Sequence, residues 1–142
     1  MPYPEMLIAP MRGELTALGA RELKSAAAVD EHLDSPGTTL LVVNSVCGCA
    51  AGKARPGVAL ALTHANRPDT LATVFAGADI DATARARERL APYPPSSPSI
   101  GLFRDGTLVW MMERRDIEGQ DAQAIARQLI AAFDQYCATS SA

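Results

Sequence analysis

No apolar run in this chain of 142 residues approaches the ~20 residues that a membrane-spanning helix needs. The chain is therefore expected to have no place in a bilayer. It also lacks a basic excess. Thirteen lysines and arginines face 16 aspartates and glutamates, a net charge of −3, which argues against broad affinity for nucleic acid or an anionic membrane. The opening residues, MPYPEMLIAPMRGEL, carry neither a basic leader nor a sustained apolar stretch, so no secretion signal is expected. Cysteine is scarce. The three present, Cys47, Cys49 and Cys137, are odd in number and not spaced as a disulfide framework, which points to a reducing, cytoplasmic setting. With 48% hydrophobic and 20% charged residues, the chain has the balance of an ordinary globular domain. One domain over residues 1–142 is long enough to bury a core without metal or disulfide support.

The periodicity predicts helices over residues 9–18 and 26–34, then a turn at Ser35-Pro36-Gly37. TTLLVVNS (38–45) is β-rich and apolar on both faces, as a central strand should be. A helix is expected to follow and to end near Asn66. Pro56 lies inside it, cannot donate to the carbonyl of Gly52, and predicts a kink. DTLATVFAGAD (69–79) predicts a second strand and DATARARERL (81–90) a polar surface helix. After four prolines within residues 91–99, Asp105-Gly106 between two alternating runs predicts a hairpin of strands 99–104 and 107–114. Finally, Ala122, Ile125, Ala126, Leu129, Ile130 and Phe133 form the stripe of an amphipathic helix. A βαβ unit, a hairpin and a closing helix predict an α/β fold. Its central mixed β-sheet would carry helices on both faces, with an extra N-terminal helical segment.

The unusual stretch is VVNSVCGCAAGKARPG, residues 42–57. Cys47 falls where strand gives way to helix, where unpaired N–H groups and the positive end of the helix dipole favour a thiolate. No acidic residue occurs from 35 to 68, whereas Lys53, Arg55 and Arg67 do. That predicts a basic patch able to lower a thiol pKa and attract an anionic thiol. Redox chemistry is one reading. Two small core cysteines are another. A metal site is a third, although zinc commonly takes four ligands and only Cys137, His32 and His64 could join the pair. His32 and His64 read as helix-end or surface residues, and Cys137 as a packing or surface residue of the last helical turn.

VVNSVCGCAAGKARPGVALAL, YPPSSPSIGLFRDGTLV and ERRDIEG, with PMRGELTALG near the start, resemble the bacilliredoxins. The resemblance runs over nearly the whole chain. It implies a thioredoxin-like fold with CGC in place of CxxC, and a thiol–disulfide oxidoreductase that removes bacillithiol from mixed disulfides on client proteins. By that resemblance Cys47 attacks and Cys49 resolves. No cofactor would be bound, and bacillithiol, a low-molecular-weight thiol, would be the co-substrate. Thioredoxin-like folds also carry a cis-proline facing the active cysteines, and Pro98 after Ser97 stands at that place. Ser97 and Pro98 would hold the substrate chain, while Lys53 and Arg55 would draw the carboxylate-bearing bacillithiol. The alternatives are a general protein disulfide isomerase and a thioredoxin-fold metal-binding or interaction module.

A disulfide across one glycine closes a smaller ring than CxxC does, and ring strain makes it easier to reduce. Its potential is expected above the ~−270 mV of thioredoxin, nearer the ~−180 mV of a disulfide isomerase. Equilibration with glutathione measures it, and a thioredoxin-like value would contradict the strain argument.

Overall fold

The computed structural model describes residues 3–137. In chain order it contains α1 (Glu5–Thr16), β1 (Arg21–Glu22), α2 (Ala26–Leu33), β2 (Thr38–Asn44), a π-helical turn (Ala50–Ala54), α3 (Arg55–Ala61), β3 (Thr70–Phe75), α4 (Ile80–Arg89), β4 (Ser99–Arg104), β5 (Thr107–Met112), α5 (Arg114–Glu118) and α6 (Ala122–Tyr136). The strands form one mixed sheet in the order β1-β3-β2-β4-β5. β1, β3 and β2 run parallel, and β4 and β5 join antiparallel. No helix among the described residues is long and apolar enough to cross a membrane.

β2 is buried along its whole length, and strand alternation sends its side chains to opposite faces. Leu40 and Val42 enter a core with Val58 of α3 and Ile125, Leu129 and Phe133 of α6. Leu41 and Val43 enter a second core with Val29 and Leu33 of α2 and Ala82 and Ala86 of α4. A strand apolar on both faces thus finds a helical layer on each. The hairpin forms at Asp105 and Gly106, both with positive φ (50° and 86°), as a two-residue turn of this kind requires.

The departures from the periodicity have local causes. α1 begins at Glu5, ahead of the expected residue 9. Its Arg12 is 7% exposed and pairs with Glu5, Glu22 and Asp79, which ties α1 to β1 and to the start of α4. β1 has only two residues, too few to show a period. The kink expected at Pro56 is instead a π-helical turn. The Arg55 N–H bonds to the carbonyl of Ala50, five residues back, so a looped-out residue accommodates the missing proline N–H. α3 then ends at Ala61, short of Asn66. β3 and β5 stop at Phe75 and Met112, and α5, closed by reciprocal bonds between Glu113 and Asp116, was not expected.

Candidate active site

The end of β2 delivers the chain to the two cysteines through a ladder of short bonds. The Ser45 N–H donates to Asn44 Oδ1 (2.9 Å), and the Cys47 N–H donates to Ser45 Oγ (3.1 Å). The Cys47 carbonyl then accepts from Ala50 and Ala51 (2.9 and 3.2 Å), starting the helical run. The Cys49 N–H donates to Cys47 Sγ at 3.4 Å. Cys47 therefore occupies the helix-capping position, with its own sulfur as the capping acceptor.

That bond from the Cys49 backbone is the main cause lowering the Cys47 thiol pKa; the Cys49 thiol, Arg114 and the Ala50 N–H add to it against partial burial. Cys49 moves the other way. Its bond to Cys47 pushes it up first, followed by burial, the Cys47 charge and Glu118. Its thiol donates to Glu118 Oε2 at 3.9 Å. Both thiols are free and half-buried, but Cys47 lines an open groove whereas Cys49 packs against the core, and electrostatics separates them further. The Cys47 thiol pKa is lowered and the Cys49 thiol pKa raised, so negative charge on the pair is favoured at Cys47.

The expected basic patch is dismantled by the fold. Arg55 is 3% exposed. Its guanidinium donates to Glu14 Oε1 (2.9 Å), Asn44 Oδ1 (2.8 Å) and the Ser45 carbonyl (3.1 Å), so it supports the loop from behind and offers nothing to a substrate. Burial and saturation by acceptors correct the substrate-binding expectation for Arg55. Lys53 donates to the Glu118 carbonyl at the end of α5, and Arg67 to the Leu62 carbonyl.

Two other cations line a groove with Cys47. A groove of about 330 Å³ is lined by Cys47, Ser45, Ser97, Tyr3, Arg87 and Arg114, among others. Arg114 Nη1 donates to the Ser97 carbonyl (3.3 Å) and Nε lies 3.5 Å from Glu118. The Ser97–Pro98 peptide bond is cis. Pro98 is buried just ahead of β4, whose Ser99 pairs with Val43 of β2. Among the described residues nothing accepts from the Ser97 N–H. Arg114 lay in the ERRDIEG segment without an assigned role, and nothing in the chain's periodicity connects Arg87, on a polar surface helix, to residue 47.

The other candidates lie elsewhere. His32 contacts Thr70 Oγ1 (3.0 Å) and His64 contacts Asp134 (2.8 Å). Cys137 shares a pocket with Gly37, Thr38 and Asp69, at the opposite end of β2 from Cys47, and burial pushes its thiol pKa up. Among the described residues no cluster of three or more histidine, cysteine or acidic side chains is placed to hold a metal ion.

A family described as disulphide isomerase matches residues 3–137. A bacilliredoxin of Koribacter versatilis is 53% identical over 140 residues, covering 98% of this chain and 97% of its own. One of Halalkalibacterium halodurans is 48% identical over 136 residues, covering 95% and 94%. The chain belongs to the bacilliredoxin family. Among solved structures, Fasciola hepatica thioredoxin superposes with a TM-score of 0.54 at 17% identity, over 80% of this chain and 98% of its own. Plasmodium falciparum thioredoxin gives 0.54 at 16% identity over the same shares. The fold is thioredoxin-like, and this bacilliredoxin-family chain is a thiol–disulfide oxidoreductase.

Two outcomes follow from the geometry. Iodoacetamide labelling of Cys47 against pH should inflect below the ordinary thiol value. Arg114→Gln should move that inflection up, because losing a nearby cation disfavours the thiolate, and labelling at neutral pH should slow. An unmoved inflection would remove Arg114 from the electrostatics of Cys47. Separately, Arg55→Met should cost about 2–4 kcal/mol in urea unfolding, since the buried Ser45 carbonyl and Asn44 Oδ1 each lose a donor. A loss under about 0.5 kcal/mol, the size expected for an ordinary surface change, would show that Arg55 does not hold the loop.

Proposed function

We propose that this chain removes bacillithiol from mixed disulfides on client proteins in a reducing cytoplasm, with Cys47 attacking and Cys49 resolving. The observation that carries the assignment of roles is the bond from the Cys49 N–H to Cys47 Sγ (3.4 Å). It stabilises charge on one sulfur, while the pKa of the second is raised first by its bond to Cys47, then by burial, that same charge and Glu118.

In the first step the Cys47 thiolate attacks the bacillithiol sulfur of the mixed disulfide. The Cys47–bacillithiol bond forms, the old S–S bond breaks, and the client thiolate leaves and takes a proton from water. Bonding at Cys47 ends the hydrogen bond and the charge by which Cys47 held the Cys49 pKa up, leaving burial and Glu118. Cys49 then gives its proton towards Glu118, the acceptor already facing it at 3.9 Å, and attacks Cys47. The intramolecular disulfide forms and bacillithiol leaves as a thiolate. Alternatively, free bacillithiol attacks the adduct, giving bacillithiol disulfide and restoring Cys47. The client chain would pair with the free Ser97 N–H beside cis-Pro98, adding a strand in the manner of other edge-binding domains.

General disulfide isomerisation on protein clients is the second reading, favoured by the description of the matching family. Intact mass after incubation with a bacillithiolated client separates the two. Cys49→Ala should take up bacillithiol and hold it as a stable mixed disulfide, whereas Cys47→Ala should collect none. Adduct on Cys47→Ala alone would reverse the roles. Adduct on neither variant, with reshuffling of client disulfides by the unmodified chain, would favour the isomerase.

A further inference from the structure

α4 carries three arginines at alternate positions. Arg85 and Arg89, four apart, share a face on which acids meet them, and Arg87 lies on another. Arg85 lies 3.0 Å from Asp30, and Arg89 pairs with Asp30 (2.9 Å) and Asp34 (2.6 Å). Arg87, between them, has no acidic partner among the described residues. Its Nε is buried and makes no hydrogen bond there. The same holds for Arg85 Nε, but that atom has the Asp30 carboxylate at 3.0 Å, and Arg87 has no such carboxylate among the described residues. A buried donor left unmet is costly. Arg87 lines the groove that contains Cys47, and Arg114 lines it too. Arg114 is 45% exposed and spends Nη1 on the Ser97 carbonyl and Nε near Glu118, which leaves further N–H groups of its fork. No aspartate or glutamate lines the groove.

We infer that this groove binds the carboxylate groups of a low-molecular-weight thiol through Arg87 and Arg114, placing that thiol's sulfur against Cys47. The inference rests on the reading of Cys47 as the attacking thiol and adds what selects its substrate. Two guanidinium forks match planar carboxylates in a way that a lysine ammonium does not. A volume of about 330 Å³ suits a small molecule and not a folded surface. The placement also sets which bond forms. A mixed disulfide offers two sulfurs, and charge brings the small-thiol sulfur to Cys47. The new bond therefore joins Cys47 to the small thiol, and the electron pair of the broken S–S bond leaves with the client sulfur, which is then protonated by water. The cations that select the substrate stand outside residues 35–68, and the lysine and arginines of that segment serve the fold.

The test compares the full-length Cys49→Ala chain, which holds its adduct, with arginine variants made in it, in their reaction at Cys47 with two disulfides. One is dithiobis(nitrobenzoate), which carries two carboxylates; the other is neutral bis(2-hydroxyethyl) disulfide. Mass spectrometry locates and times the adduct. The ratio of the two rates cancels any change in Cys47 reactivity or in the folded fraction. Arg87→Gln should lower the ratio of anionic to neutral rate about fivefold, and Arg87→Gln with Arg114→Gln should lower it further. Cystamine, a dication, should gain on the neutral disulfide in the same variants. An unchanged ratio in both variants would overturn the groove as a carboxylate site while leaving Cys47 chemistry standing. Failure of the Cys49→Ala chain to form an adduct at Cys47 with either disulfide would overturn the thiol–disulfide reading, and the groove's role with it.

Discussion

A strand that ends in the interior and passes straight into a helix leaves backbone groups that neither element can pair. Arg55 meets that constraint here. Its guanidinium fills the space behind the loop, donating to the Asn44 side chain and the Ser45 carbonyl while Glu14 of α1 neutralises it. Asn44 passes the restraint to the Ser45 N–H, Ser45 to the Cys47 N–H, and Cys47 Sγ accepts from Cys49. Asn44 Nδ2 also donates to the Met11 carbonyl (3.1 Å), so α1 is fastened to the strand end from a second side. The position of a reactive sulfur is thus decided by a residue that never meets the substrate.

The same economy divides the two cysteines. They are one glycine apart and both half-buried, yet one sits where helix N–H groups converge and the other faces a carboxylate. Adjacent thiols in such unequal fields titrate as a pair, with the charge held mainly on one sulfur. Glu118 reaches the site because α5 packs beside the π-helical turn, with Lys53 fastened to its last carbonyl. A regular α-helix through Pro56 would have left the Gly52 carbonyl without its donor; the chain instead takes the π form just ahead of the proline, with the Arg55 N–H on the Ala50 carbonyl.

Much of the frame was legible from residues alone. The two-faced apolar run of β2, the Asp105-Gly106 turn and the stripe of α6 each express one period or one backbone requirement, and each folds as that requirement demands. The CGC at a strand-to-helix junction was legible for the same reason: strand end and helix cap are local events. What the periodicity missed is short or non-local. β1 has two residues and α5 five, and the contacts of Arg12 span up to 67 positions in the chain.

By itself the sequence determined the order of the main elements, the two cysteines and the helix cap on which the first of them sits, because these depend on neighbours along the chain. Only the tertiary structure decided which cations do what. Lys53 and Arg55 are close to the cysteines in sequence, yet the turn of the helix and the packing of α1 aim them at Glu118, Glu14 and Ser45. Arg87 and Arg114 are distant in sequence, yet α4 and α5 bring them into the groove that Cys47 lines. Charge acts through space and is blind to sequence separation, so the electrostatics of this site could be read only once the chain had closed around it.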